Sequence, residues 1–360
     1  MQAVLNPSEI IFFRLAAQSI GSPALRSAAA VVSHLGAMQA QDFPMTKWAI
    51  GIRSAGLTES AVNAAIARGD IIRTHALRPT WHILANADVD WLLKLTAPRI
   101  MVTIRSRHKQ LGLDEKLITQ CKRVIEKDLL TAESGTRAQL ITALKKAKIT
   151  LAAECYSHIL LRCELDRLIC SGPVQGSDTA YALYAQRIRK TEDLPRDEAL
   201  ARLALRYFTG HGPATLEDFI WWSGLKISEA RQALAAAGNN LKKITAKENT
   251  WYLSKETGKS AIAKGVLLLP AFDEYIIGYA DRSAVLPPGL AKNVISNNGI
   301  FRAVILHHGQ VCGLWKKEVR KEQLTVIPDL RSGGNAELKK QLNTAAAALA
   351  HFYGLPLAKR

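Results

Sequence analysis

Cysteine is scarce, with five residues in 360: Cys121, Cys155, Cys163, Cys170 and Cys312. An odd number in a chain this long excludes a disulfide framework as the basis of the fold. His158 stands among Cys155, Cys163 and Cys170, but the close Cys-x2–4-Cys pairs of a structural zinc site are missing. All four residues fall in one apolar helical stretch, which predicts core cysteines and no metal. No run approaches about eighteen uncharged apolar residues, so no membrane-spanning helix is expected. The N-terminus, MQAVLNPSEI, lacks the charged segment and apolar run of a signal peptide. A cytoplasmic location is the resulting expectation. G-x-S-x-G, HExxH and a phosphate-cradling glycine loop are also absent, which removes the common hydrolase motifs and leaves no cofactor expected.

Acidic residues are outnumbered. Against 31 Asp and Glu stand 48 Lys and Arg, a net charge of +17. An excess of that size favours a polyanionic partner over a basic surface that serves only solubility. With no membrane segment, nucleic acid is the favoured partner.

Helix starts and stops punctuate the chain. Asn6-Pro7-Ser8-Glu9 reads as a capping box with proline at the first helical position. Ser22-Pro23 predicts a second helix running to Gly36. Thr58-Glu59 predicts another, closed by Gly69-Asp70. Two β-like runs then flank Leu77-Arg78-Pro79. Helices followed by a hairpin describe a winged helix. The order returns. Asn86 is expected to cap a long helix, helices follow at 115–130 and from Thr136, and 151–170 reads as one apolar helix. VQGSDTAYALY then supplies a wing. It returns again where Thr215 caps LEDFIWWSGL, Lys226 to Ala237 forms the next helix, and LKKITAKENTWYL folds back. The spacing, roughly 80 residues, marks a repeat of architecture without close sequence repetition. From residue 259 the character changes: KGVLLLPAFDEYIIGY reads as a buried-strand run with a turn at Pro270. FRAVILHHGQVCGLW reads as a hairpin turning at His308-Gly309, and ELKKQLNTAAAALAHFYG as a closing helix. The expected fold is therefore α+β and mainly helical: three tandem winged-helix motifs (1–110, 111–195, 196–258) and a small C-terminal α+β cap (259–360).

Several stretches carry a family likeness, in family order and over most of the length: MQAQD (38–42), RTHALRPTWHILA (73–85), GHGPATLEDFIWWSGL (210–225), LLPAFDEYIIGYADRS (268–283) and FRAVILHHGQVCGLW (301–315). The chain resembles the winged-helix DNA glycosylases of the AlkZ-like type, which include azinomycin-resistance and crosslink-unhooking enzymes. The resemblance implies three winged helices around a concave surface for double-stranded DNA, a monomer, and a nucleoid-associated place in the cytoplasm. It also implies a catalytic Gln-Φ-Gln motif, here Gln39-Ala40-Gln41. Asp42 follows directly and is not the Asp of the related Gln-Φ-Asp branch.

If this stretch is extended, alternation puts Gln39 and Gln41 on one side, where their amides can hold one water. Glutamine is too weak a base to deprotonate water in the ground state, so the substrate must arrive activated. An N7-alkylated purine is a cation and leaves as a neutral base. Positioning and amide dipoles turned toward the developing sugar cation then supply the acceleration.

DNA contacts are expected from Arg73, His75, Arg78, Trp81 and His82 on the first wing, and from Lys226 and Arg231 on the third recognition-like helix. Two readings stand for each group. Trp81 stacks on a base or packs under the wing, and Arg73 meets phosphate or pairs with an acid. Lys226 and Arg231 meet phosphate or only solvent. Of the adjacent Trp221 and Trp222, at least one is expected in the core. Asp273, Glu274, Asp281 and Arg282 form a charged motif, for which two readings stand: an acidic pair serving acid–base chemistry with Asp273 near the site, or a structural ion pair of Asp273 with Arg282, which is the expectation. The alternative function is a winged-helix transcription regulator, which a stable dimer would favour.

Overall fold

The computed structural model describes residues 5–176, 178–191, 193–246, 249–258, 265–331 and 334–358. It is a mixed α/β architecture in which helices predominate. The first run of elements is α1 (Pro7–Ala17), α2 (Ala28–Leu35), β1 (Met38–Gln39), α3 (Phe43–Gly51), α4 (Glu59–Arg68), β2 (Ile71–Ala76) and β3 (Thr80–Ala85). The second is α5 (Asn86–Gln110), α6 (Glu115–Ala132), β4 (Ser134–Gly135), α7 (Arg137–Lys146), α8 (Ala153–Leu165), β5 (Ile169–Gln175), β6 (Asp178–Leu183) and α9 (Tyr184–Arg187). The third is α10 (Arg196–His211), α11 (Leu216–Ser223), α12 (Ile227–Ala237), β7 (Leu241–Ala246) and β8 (Asn249–Ser254). The last comprises β9 (Val266–Leu269), α13 (Glu274–Ile277), α14 (Pro288–Val294), β10 (Val304–His307), β11 (Gln310–Arg320), β12 (Gln323–Leu330) and α15 (Ala336–Tyr353).

Local chemistry explains most starts. The Asn6 side chain accepts from the Glu9 N–H and the Glu9 carboxylate answers the Asn6 N–H. Thr136 with Gln139, and Thr215 with Asp218, form the same reciprocal box. Elsewhere tertiary bonds override the signal. The helix expected from Ser22-Pro23 begins only at Ala28, capped by Ser27. Leu25 is held extended because its carbonyl accepts from the Ala55 N–H at 2.8 Å. Asn86 caps nothing: α5 starts behind Ala85, and the Asn86 amide donates to the carbonyls of Gly69 and Arg187. The stretch 151–170 is not one helix. It stops at Leu165, Arg167 takes a φ of +58°, and Ile169 opens β5. Cys155 and Cys163 therefore lie on α8 and Cys170 on β5, all buried. Burial pushes the Cys170 thiol up to about 12, so it carries no thiolate at neutral pH. Nor does the strand of β9 continue through Tyr275: Asp273 accepts from the Tyr275 N–H and caps a helical turn, α13.

The chain forms two compact units, Met1–Val62 with Leu200–Arg360 and Asn63–Ala199. They group the chain more coarsely than the four motif-length segments, and the boundary at Val62 falls inside α4. In the first unit, an antiparallel sheet of order β12-β11-β10-β9 packs its apolar side on α1 and the turn of α13. The β10–β11 hairpin turns at His308 and Gly309, both at positive φ, which suits a two-residue hairpin. A Cβ on Gly309 would sit 2.3 Å from the Ile11 side chain, so only glycine fits. Two indoles fix the end of β9, Trp48 donating to Leu268 O and Trp315 to Leu269 O, each at 2.7 Å.

In the second unit α6, α7 and α8 enclose one apolar core with a three-stranded sheet of order β4-β6-β5. Helix, short strand, helix, helix and hairpin, with the short strand pairing the hairpin's second strand, is the winged-helix arrangement. The rings of His108 on α5 and His158 on α8 meet edge-on at 5.2 Å. Burial, aided by neighbouring positive charge, holds both below the ordinary histidine value. The unfolded chain therefore takes up protons first as pH falls through about 6.5, and stability declines below that point. Hydrogen exchange of the α8 amides at pH 7.5 and 5.5, corrected for intrinsic pH dependence, is expected to show weaker protection at 5.5. His108→Leu, which removes a buried Nε2 that has no partner among the described residues, is expected to reduce that difference. An undiminished difference would assign it to other groups.

Candidate active site

Gln39 closes β1 and is buried. Its backbone is held at both ends: the N–H donates to Glu274 Oε1 at 2.7 Å, and the carbonyl accepts from Thr46 Oγ1 at 3.2 Å. Glu274 comes from α13, some 235 residues away in sequence. Its second oxygen, Oε2, accepts from Trp222 Nε1 at 3.1 Å and lies 3.1 Å from His211 Nε2. A carboxylate only accepts, so the proton of that last pair sits on the histidine. Glu274, His211 and Trp222 are all buried, and the Tyr207 ring stacks on His211 at 4.7 Å. One buried carboxylate thus meets three donors, which is how such a group is retained inside a core. Gly278 allows this packing, because a Cβ there would stand 2.8 Å from the His211 ring.

The rest of the motif is arranged differently. Ala40 is fully buried and Gln41 is exposed. The extended run ends at Gln39, and the chain bends at Gln41 and Asp42, so strand alternation does not govern both glutamines. Asp42 is a helix cap, accepting from the Met45 N–H at 3.1 Å. Its backbone carbonyl, at 2.8 Å, shares the single Thr46 hydroxyl proton with the Gln39 carbonyl.

Behind the site lies a buried charged network. Arg53 forks onto Asp273 with contacts of 2.8 and 2.7 Å, and also donates to Gln18 Oε1 at 2.7 Å. Gln18 donates to Tyr279 Oη, which donates to the His211 carbonyl at 2.8 Å. Asp273 is therefore not the partner of Arg282. Arg282 donates to the carbonyls of Ile276 and Ala280 and lies over the Trp221 ring. The Asp273 carboxylate, turned inward to cap α13, meets the guanidinium from the end of α3. Trp222 is the core member of its pair at 1% exposure, while Trp221 is 40% exposed.

The expected DNA-contact residues separate into groups. Lys226 and Arg231 are exposed at the start of α12, beside exposed Ile227. In the second unit Arg73, His75 and Trp81 form one cluster. The Arg73 guanidinium lies 4.2 Å from the Trp81 ring centre and the His75 ring 4.0 Å. Trp81 also packs against the α6–α8 core. His75 pairs with Glu164, at 2.7 Å. His82 is buried with Nδ1 against Thr80 O, and Arg78 is half-buried in the turn. Glu274, His211 and Trp222 were not singled out together by sequence. Each lies in a stretch that carries the family likeness, but nothing local links them.

Comparison with known proteins agrees with this architecture. The structure matches that of Streptomyces sahachiroi DNA glycosylase AlkZ with a TM-score of 0.79 at 22% identity, covering 99% of this chain and 100% of that one. A relative from the same organism, named interstrand DNA cross-link repair glycosylase, is 24% identical over 335 residues, 89% of this chain and 90% of its own length. Residues 32–352 match the family model described as DNA glycosylase AlkZ-like, and the chain therefore belongs to the AlkZ-like DNA glycosylase family.

Proposed function

We propose that this chain excises cationic N7-alkylated purines from duplex DNA, with a water held by the amides of Gln39 and Gln41. The observation that carries this reading is the placement of the motif. Gln39 is fixed through both of its backbone groups, and Gln41 stands exposed two residues on. As the glycosidic bond breaks, its electron pair goes to the base nitrogen and neutralises the positive charge of the base. The anomeric carbon becomes electron-poor, the water oxygen bonds to it, and the water proton passes to solvent. Neither glutamine has to act as a strong base, because the leaving group needs no protonation. Bulky adducts and crosslinks fit the same chemistry, and the name of the Streptomyces sahachiroi relative points the same way.

The fold supports three tandem winged helices in one chain. The order helix, extended segment, helix, helix, hairpin occurs three times. In the third, Ala214 bridges to Tyr252 on β8 in the place β4 takes beside β6. Three such units let a monomer engage duplex without pairing two copies. Exposed Lys226 and Arg231 are suited to phosphate. No described helix is long and apolar enough to cross a membrane.

The test is base release from duplex carrying one N7-methylguanine, followed by alkaline cleavage of abasic sites. Gln39→Ala and Gln41→Ala are each expected to lower the single-turnover rate by about 10²-fold, the scale of a lost oriented dipole. Binding at fixed salt should change little. Uracil-containing duplex is expected to remain uncut. Wild-type rates in both variants, or ready uracil excision, would overturn the water-positioning mechanism.

A further inference from the structure

An open cavity of about 720 Å³ lies in the unit formed by Met1–Val62 and Leu200–Arg360. Asp42 and Met45, at the start of α3, form one wall, and Asp42 directly follows Gln41. Phe272 from the loop after β9, Ile300 from the loop before β10, Leu314 of β11 and Ile327 of β12 also line it. These apolar groups keep open surface. Ile300 is 49% exposed and Ile327 39%, and Met45, Phe272 and Leu314 are half-buried. A single exposed apolar side chain is ordinary, but five around one cavity make a continuous surface of the kind that marks a binding site. Phe272 takes a φ of +57°, uncommon for a bulky residue, and its N–H donates to Phe301 O at 3.2 Å. Such a conformation persists where the surrounding structure holds it, and it gathers at ligand sites.

Charge points to what enters. Arg302 and Lys316 are exposed in the lining, and the Lys317 ammonium lies 3.5 Å from the Tyr353 ring centre. Of the two carboxylates among the described lining residues, Asp42 caps α3 and Asp329 is exposed. The surplus is cationic and suits the phosphates that flank a base in a strand. N7 lies on the major-groove edge of a purine, away from the pairing edge. A base presented to Gln39 and Gln41 carries its N7 substituent with it, and the next wall along the chain from Gln41 belongs to this cavity. A methyl group is far smaller than the space, whose volume falls in the range of small-molecule pockets.

We propose that this cavity receives a flat apolar substituent carried on N7 of the target purine, against Phe272, Ile300 and Ile327. The inference deepens the proposed function and takes its substrate from that reading. The experiment measures affinity at fixed salt for two duplexes, one carrying N7-benzylguanine and one N7-methylguanine, each on a 2′-fluoro sugar. The fluorine draws electrons from the sugar, opposes the developing cation and blocks release. Wild type is expected to bind the benzyl duplex about tenfold more tightly than the methyl duplex, the scale of burying part of a phenyl ring. Ile300→Ser and Ile327→Ser are each expected to cut that preference about threefold, for the apolar contact removed. Both side chains are largely exposed, so both variants are expected to keep wild-type circular dichroism and melting. Equal affinity of wild type for the two duplexes would overturn the cavity's role. So would an undiminished preference in both folded variants, which would show that the benzyl group binds elsewhere. Binding is read without base release, so failure of the Gln39 and Gln41 mechanism would leave a positive result standing. Normal release of N7-methylguanine with no benzyl preference would overturn the cavity's role alone.

Discussion

Asp273→Ala is expected to cost about 3–5 kcal/mol of stability, the scale for stranding one partner of a buried ion pair. Arg53 and Asp273 are both fully buried, so the guanidinium left behind cannot reach water. Its remaining bonds, to Ala49 O and Gln18 Oε1, hold its hydrogens but not its charge. A loss of that size is a large share of the total for a folded domain. The pair itself is not expected to be worth so much, because desolvation of both ions offsets most of their attraction. Arg53→Leu with Asp273→Asn removes both charges and keeps a side-chain acceptor for the Tyr275 N–H that opens α13. The double variant should therefore lie closer to wild type than either Arg53→Leu or Asp273→Ala. Urea denaturation followed by tryptophan fluorescence measures wild type, Asp273→Ala and the closed cycle of Arg53→Leu, Asp273→Asn and their double variant. Costs that simply add would show that the two side chains act independently, against the geometry of their fork.

The same residues mark where sequence reading succeeds and where it stops. Asn6, Thr136 and Thr215 were legible as caps because a cap needs only a hydroxyl or amide and an N–H three residues on. The His308-Gly309 hairpin was legible because positive φ at two successive residues selects few residue types. Ser22 and Asn86 carry the same local signals, yet distant backbone groups decided their fates. Leu25 is tied to Ala55, and Asn86 is tied to Gly69 and Arg187. For Asp273 the sequence suggested one cationic partner. Arg282, nine residues away, looked natural, while the actual partner lies 220 residues off. The Gln-Φ-Gln stretch was visible from the resemblance. Its fixation by Glu274 was not, since that bond joins β1 to α13, far apart in sequence. Pattern along a chain reports periodicity and punctuation. It carries no trace of which buried acid a given N–H will meet.

On the proposed water-holding role of Gln39, Glu274 acts as a positioning residue, and Glu274→Gln is expected to slow base release about 10–100-fold while duplex affinity at fixed salt changes less than twofold. The carboxylate faces three donors: the Gln39 N–H, Trp222 Nε1 and His211 Nε2. An amide has one oxygen and one NH2. With its oxygen toward Gln39, the NH2 opposes the Trp222 N–H. His211 can adapt by changing tautomer, but an indole cannot. With its oxygen toward Trp222 and His211, the NH2 opposes the Gln39 N–H and displaces the end of β1. Misplacement of a reacting group by about 1 Å costs on the order of 10²-fold in rate, and an unsatisfied buried donor costs about 1–3 kcal/mol in stability. A purely structural role would move stability alone, so the decisive variant is Glu274→Gln combined with Trp222→Phe. It deletes the one donor that cannot adapt and lets the amide oxygen stay on Gln39. Single-turnover excision by the double variant should recover at least half of the lost activation free energy, although the cavity left where the buried indole becomes a phenyl ring offsets any gain in stability. Recovery of rate without recovery of stability would tie Glu274 to the placement of Gln39. Wild-type excision by Glu274→Gln alone would show that the position of the β1 backbone does not limit the reaction.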